Sequence, residues 1–204
     1  GMVLAHPEFT PDGLQFDDLV YGASPMPQAL LEKVLPIYPD TRVWQGYGMT
    51  ESSSVLCLLG PEEHRAGGKY LRCAGMPMPG VVLSIQDEEG NLLPPGEPGE
   101  VCARSGNYMI EYWNKPDATA DAFRGGWYHT GDAGYLDTDG YLYLVDRVKD
   151  MIVTGGENVY STEVENAIAS HPAVLQVAVI GIPSEKWGEA VHAIVVLRDG
   201  ATVT

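Results

Sequence analysis

The stretch QGYGMTESSS, residues 45–54, sets Gly46, Tyr47, Gly48, Thr50 and Glu51 within six positions, directly after the apolar run TRVW. Flanking glycines let a planar ring such as that of Tyr47 lie close to the backbone. Thr50 offers a hydroxyl to a phosphate, and Glu51 a carboxylate to a hard cation such as magnesium. An adenine nucleotide suits that set. Taken alone, the stretch reads equally well as a strand-to-helix turn with Thr50 or Ser52 capping and Tyr47 in the core. The dinucleotide fingerprint is not met, because the third glycine and a later ribose acid at βαβ spacing are missing.

Other chemistry-bearing residues are as modest singly. Asp132 reads as a turn acid, Arg147 and Lys149 as a solvated pair, and Gly155-Gly156 as a plain turn. Cys57, Cys73 and Cys102 are odd in number, form no CxxC pair and accompany no histidine cluster of metal spacing, so free thiols in a reducing compartment are expected. His129 reads as locally bonded; His6, His64, His171 and His192 carry no assignment. The DTDG of residues 137–140 fails as a calcium loop, since Tyr135 falls where the first acid ligand belongs and YLYLV reads as a strand.

The elements that must position these residues follow from periodicity. DDLVYGASPMPQALLEKVL gives a strand through Val20 and Tyr21, a turn at Gly22 to Ser24, and a proline-started helix carrying Leu30, Leu31, Val34 and Leu35. Prolines and glycines between Gly75 and Glu100 punctuate short strands, implying a small sheet or barrel. KPDATADAFRGGW predicts a short helix, and GYLDTDGYLYLVDR a hairpin around its DG turn. After Lys149 come the strand MIVT, a Gly155-Gly156 turn, a helix from about Ser161 with Thr162 and Glu165 as a capping box, and the strands VLQVAVIGI and AVHAIVVL.

The chain has 204 residues, 45% of them hydrophobic, enough for a substantial core. A formal charge of -16 repels phosphate backbones and argues against nucleic acid as a partner, while leaving room for a small anion held locally. No apolar stretch approaches the roughly eighteen residues of a transmembrane helix, so a cytoplasmic location is expected. Gly1-Met2 resembles a tag-cleavage scar, and the strand trailing into DGATVT has no completing element; both imply a fragment.

Four segments, GASP at 22–25, GYGMTE at 46–51, GWYHTGD at 126–132 and DRVKDMIVTGGENVYSTEVE at 146–165, occur in an order and spacing that resemble the adenylate-forming enzymes. This superfamily includes acyl-CoA synthetases, luciferases and peptide-synthetase adenylation domains, and the GGEN and EVE forms look most like the fatty-acyl and other carboxylate CoA ligases. The resemblance implies a mixed α/β and α+β fold. Residues 1–146 would be the C-terminal part of a large AMP-binding domain including a distorted small β-barrel, 147–149 a hinge, and 150–204 an incomplete small domain.

It also implies roles. Gly22, Ala23 and Ser24 would contact adenine, with Gly46, Tyr47, Gly48 and Met49 lining the site, Tyr47 stacking on the purine and Gly48 and Met49 touching the acyl group. Thr50 would meet the α-phosphate, Glu51 would ligate magnesium, and Asp132 with Arg147 would hold the ribose. Lys149 would be the pivot on which the small domain turns between acyl-adenylate formation and transfer to coenzyme A, with Gly155 and Gly156 lining the pantetheine path. The expected substrates are ATP, CoA and a carboxylic acid, by expectation a fatty acid. The family's phosphate loop and late catalytic lysine have no match here, so the chain by itself is expected to be inactive. Transfer to a carrier protein, and a non-catalytic nucleotide-binding module, stay open as alternatives.

Overall fold

A computed structural model describes residues 6, 8–24 and 26–202; Pro25 of the GASP stretch, and Gly1, Met2 and Thr204 at the chain ends, lie outside these. The described residues form three four-stranded sheets. In the first, β1 (Asp18–Gly22) runs parallel to β2 (Arg42–Met49), which pairs antiparallel with β3 (Ser54–Leu59), and β3 with the short β4 (Met76–Pro77). A parallel pair needs a crossover, and α1 (Gln28–Val34) supplies it, anchored by the fully buried Leu31. Between β3 and β4 lies α2 (Pro61–Ala66), with proline in its first turn, where a missing N–H costs nothing.

The second sheet is antiparallel in chain order: β5 (Val82–Gln86), β6 (Gly99–Arg104), β7 (Tyr128–Leu136) and β8 (Leu142–Arg147), with α3 (Pro116–Ala122) between β6 and β7. Tyr47, Leu56 and Cys57 of the first sheet share one core with Ile85, Val101, Ala103 and Leu142 of the second. The tips of β2, β7 and β8 are therefore fixed relative to one another. The β7–β8 turn is built as its sequence implies, Asp137 Oδ1 accepting from the N–H groups of Asp139 and Tyr141 at 2.9 Å each. Lys69 Nζ donates to Asp137 and Asp139 at 3.1 and 2.8 Å, so the acids of DTDG serve a protein cation.

The third sheet contains β9 (Ile152–Thr154), β10 (Glu157–Val159), β11 (Val174–Ser184) and β12 (Gly188–Leu197), ordered β10-β9-β12-β11, with α4 (Ser161–Ala169) packed on β11. The expected Gly155-Gly156 turn, with φ of 61° and 87°, folds the chain into a tight hairpin whose second strand is Glu157–Val159, and the helix begins at Ser161 as its sequence implies. The expected Thr162–Glu165 capping box does not form. Glu165 Oε1 instead accepts from the N–H of Val179 on β11 at 2.8 Å, tertiary pairing having outcompeted the local motif. No helix of the described residues is long and apolar enough to cross a membrane.

Candidate functional site

The ends of β1 and β2 lie side by side, Gly22 registered with Gly46, and their approach leaves no room for side chains. A Cβ on Gly22 would come within 2.5 Å of the Gly46 carbonyl oxygen, and one on Gly48 would collide with the Ser54 backbone, where β2 and β3 shift register between Tyr47 and Gly48. These glycines serve sheet packing as much as ligand access. Beyond Gly22 the chain turns through Ala23, held at φ 61°, a left-handed conformation that costs an L-residue about 1 kcal/mol. Strain of this kind persists where surrounding structure imposes it. Here it shapes the mouth of a cavity.

That cavity, about 330 Å3, is lined by Gly22, Ala23 and Ser24, by Gly46, Tyr47 and Gly48, and by Asp132 and Arg147. Sequence reasoning named all eight. It did not assign Gln45, Asp146 or Thr162 to the site, and these also line the space. Gln45 precedes the GYG motif and is steadied by Tyr21, whose hydroxyl donates to its Oε1 at 2.9 Å and meets His64 Nε2 at 3.0 Å. Burial pushes the His64 pKa down, so this ring is a neutral support beneath the strand.

Asp132 is the charged centre of the cavity. The Tyr47 hydroxyl donates to Asp132 Oδ2 at 2.8 Å, and Arg147 Nε lies 3.4 Å from Oδ1. The carboxylate is 15% exposed, the guanidinium 63%. Burial pushes the Asp132 pKa up, opposed by Tyr47 and Arg147 and assisted by the Glu100 charge. Tyr47 is pushed far up, by burial first and Asp132 next, so it stays a donor at neutral pH. The ring expected on a purine and the acid expected on a ribose form one hydrogen-bonded unit, which allows a polar ligand with paired hydroxyls to be met by acceptor and flat apolar face together.

Asp146, one residue before Arg147, reaches the third sheet. Its Oδ2 accepts from Ser161 Oγ at 2.8 Å and from the Thr162 N–H at 3.4 Å. Those donors open α4, whose own N-cap, Tyr160, supplies no side-chain acceptor. An acid there satisfies an otherwise orphan N–H and complements the helix dipole. The cap comes from a strand sixteen residues away, which is why no local pattern announced it.

The remaining candidates lie outside the cavity lining. Met49 packs on the core shared by the first two sheets. Thr50 and Glu51 enter a 3-10 turn just past β2, fixed by Ser52, whose Oγ accepts from the Met49 N–H at 3.2 Å and donates to the Met49 carbonyl at 2.9 Å. The Glu51 side chain binds Tyr112, Oη to Oε1 at 2.8 Å. A single carboxylate beside an exposed hydroxyl fits magnesium, a cation usually held by one or two protein carboxylates with substrate phosphates and water. Lys149 is exposed in the 148–150 turn. Gly155 lies against Trp187, where a Cβ would sit 2.9 Å from the indole, so glycine is needed there for packing as well as for its backbone.

A second donor set emerges only in three dimensions. Glu100, Cys102 and His129 face one another across β6 and β7 with ligand atoms within 4.8 Å. His129 Nδ1 is 2.8 Å from Glu100 Oε2 and 3.3 Å from Cys102 Sγ. Arg124 already pairs with that carboxylate at 2.7 Å, and burial pushes the thiol up to about 12. The set is thus satisfied as a partly buried hydrogen-bond network.

Residues 2–113 match the family described as AMP-binding enzyme, and residues 163–204 the one described as AMP-binding enzyme C-terminal domain. The chain is 49% identical over 181 residues to a fatty acid–[acyl-carrier-protein] ligase, ScoC, of Streptomyces coeruleorubidus, covering 89% of this chain and 35% of that protein. With the medium/long-chain-fatty-acid–CoA ligase FadD8 of Mycobacterium tuberculosis it shares 44% over 201 residues, covering 98% of this chain and 34% of that one. It therefore spans about a third of the length of these curated relatives. Among solved structures, the O-succinylbenzoate coenzyme A synthetase MenE of Bacillus subtilis, in complex with ATP and magnesium ion, superposes with a TM-score of 0.82 at 35% identity, over 98% of this chain and 40% of that one. The cavity between two β-strand tips and an aspartate, the fold around it and these matches together place the chain in the AMP-binding enzyme family of the adenylate-forming superfamily.

Proposed function

We propose that this chain supplies the adenosine-binding and hinge portion of an ATP-dependent acid–thiol ligase. The observation that carries the reading is the Tyr47–Asp132–Arg147 unit in the cavity beside Gly22–Ser24. Adenine lies against Tyr47, the ribose hydroxyls donate to Asp132, Thr50 contacts the α-phosphate, and Glu51 holds a magnesium ion that would offset phosphate charge. Adenylation converts a carboxylate into an acyl group with a good leaving group, which a thiol then displaces. Residues 1–146 act as the end of the large domain and 150–204 as part of the small one, turning about 147–149 with Lys149 as pivot; Gly155 and Gly156 then flank the pantetheine path. ATP, magnesium and coenzyme A are the partners on this reading, and a fatty acid is the proposed acid because two of the relatives are named for fatty acids.

A second reading sends the acyl group to a carrier-protein thiol, favoured by the 49% identity to ScoC. The test uses the full-length enzyme that carries this segment, with ATP, a graded panel of fatty and aromatic acids, and either CoA or a carrier protein. Acid-dependent pyrophosphate release with acyl-CoA formation is the expected result. Acylated carrier protein without acyl-CoA supports the second reading, and no acid-dependent pyrophosphate with either acceptor rejects both.

A further inference from the structure

We propose that Tyr112 is the positioning residue for Glu51, occupying one carboxylate oxygen and turning the other toward the divalent cation; the role rests on the reading of Glu51 given above. The Tyr112 hydroxyl donates to Glu51 Oε1 at 2.8 Å, while the Met109 N–H donates to the Glu51 carbonyl at 2.7 Å. One loop, some sixty residues downstream, thus grips the backbone and the side chain of the same glutamate. Among the described residues no other hydrogen bond reaches that carboxylate, so Oε2 keeps its lone pairs for a ligand.

Tyr112 is itself fixed from α3. Its N–H donates to Thr119 Oγ1 at 3.0 Å, and that hydroxyl donates back to the Lys115 carbonyl at 2.9 Å, so the first turn of the helix sets where the tyrosine stands. Carboxylates that ligate metals are usually oriented by such partners, and losing the partner typically costs about 10- to 100-fold in metal affinity. Here the partner is neutral, so it orients Oε2 without neutralising the charge the cation needs.

Magnesium is titrated in an ATP–pyrophosphate exchange assay on the full-length enzyme, for the wild type, Tyr112→Phe, Thr119→Val and Glu51→Gln. Tyr112→Phe keeps the ring and is expected to raise the magnesium concentration for half-maximal rate roughly tenfold, with kcat recovering at saturating magnesium. Thr119→Val, which leaves the phenol in place, should shift it less, in the same direction. Should Tyr112→Phe not fold, an unshifted Thr119→Val overturns the proposal. If Glu51→Gln leaves the magnesium requirement unchanged, the metal reading of Glu51 falls, and this inference with it. If Glu51→Gln shifts the requirement and Tyr112→Phe does not, the positioning role alone is overturned. An equal loss at every magnesium concentration with a lowered melting temperature would mark Tyr112 as a clamp for the loop and also overturn it.

Discussion

Asp132 shows how one buried group can serve binding at the expense of stability. Because burial raises its pKa in the folded chain, an unfolded aspartate ionises first as pH rises, and the folded state bears a penalty that is complete only above the folded pKa. Asp132→Asn should therefore raise the melting temperature at neutral pH, with the gain vanishing below the ordinary carboxylate range; thermal scans across pH would show it. The lost pairing with Arg147 offsets little, since that guanidinium is mostly exposed. The same substitution should weaken nucleotide binding. Tyr47→Phe keeps the aromatic face but frees Asp132 Oδ2, and about 1 to 2 kcal/mol of nucleotide affinity should be lost, readable by calorimetry. Cys102 offers a contrast: fully buried, with its thiol pushed up to about 12, it should react with a maleimide at neutral pH only after the chain is unfolded.

At the scale of elements, β2 and α4 are the informative ones. Gly48→Ala sets a methyl against the Ser54 backbone at the register shift, and a loss of about 2 kcal/mol or more is expected in denaturant titrations, with the cavity misshapen as well. Asp146→Ala removes the acceptor for Ser161 and Thr162 and should destabilise α4 by about 1 kcal/mol. What the sequence made legible divides along the same line. Glycine spacing around Tyr47, the DG hairpin and the proline-started helices could be read, because each depends on neighbours a few residues apart. Gln45, Asp146, Thr162 and Trp187 could not, because their partners are distant in sequence: Tyr21 for Gln45, Asp146 for Thr162 and Gly155 for Trp187. The capping box misled for the same reason: Glu165 had a better donor on β11 than any in its own helix.

The whole molecule carries a formal charge of -16, yet it sets Arg147 beside Asp132 in its cavity. A net repulsive field does not forbid a phosphorylated ligand when the local donors are fixed, and two sheets sharing one core fix them here. The third-sheet unit joins at the Asp146 contact, follows the exposed 148–150 turn and contributes Thr162 to the cavity lining. On the proposed function, that cavity holds adenylate. AMP titrated calorimetrically into this chain should give saturable one-to-one binding that Asp132→Ala weakens on the order of 100-fold without unfolding the protein. Equal affinity for wild type and Asp132→Ala, or no saturable binding by either, would contradict it.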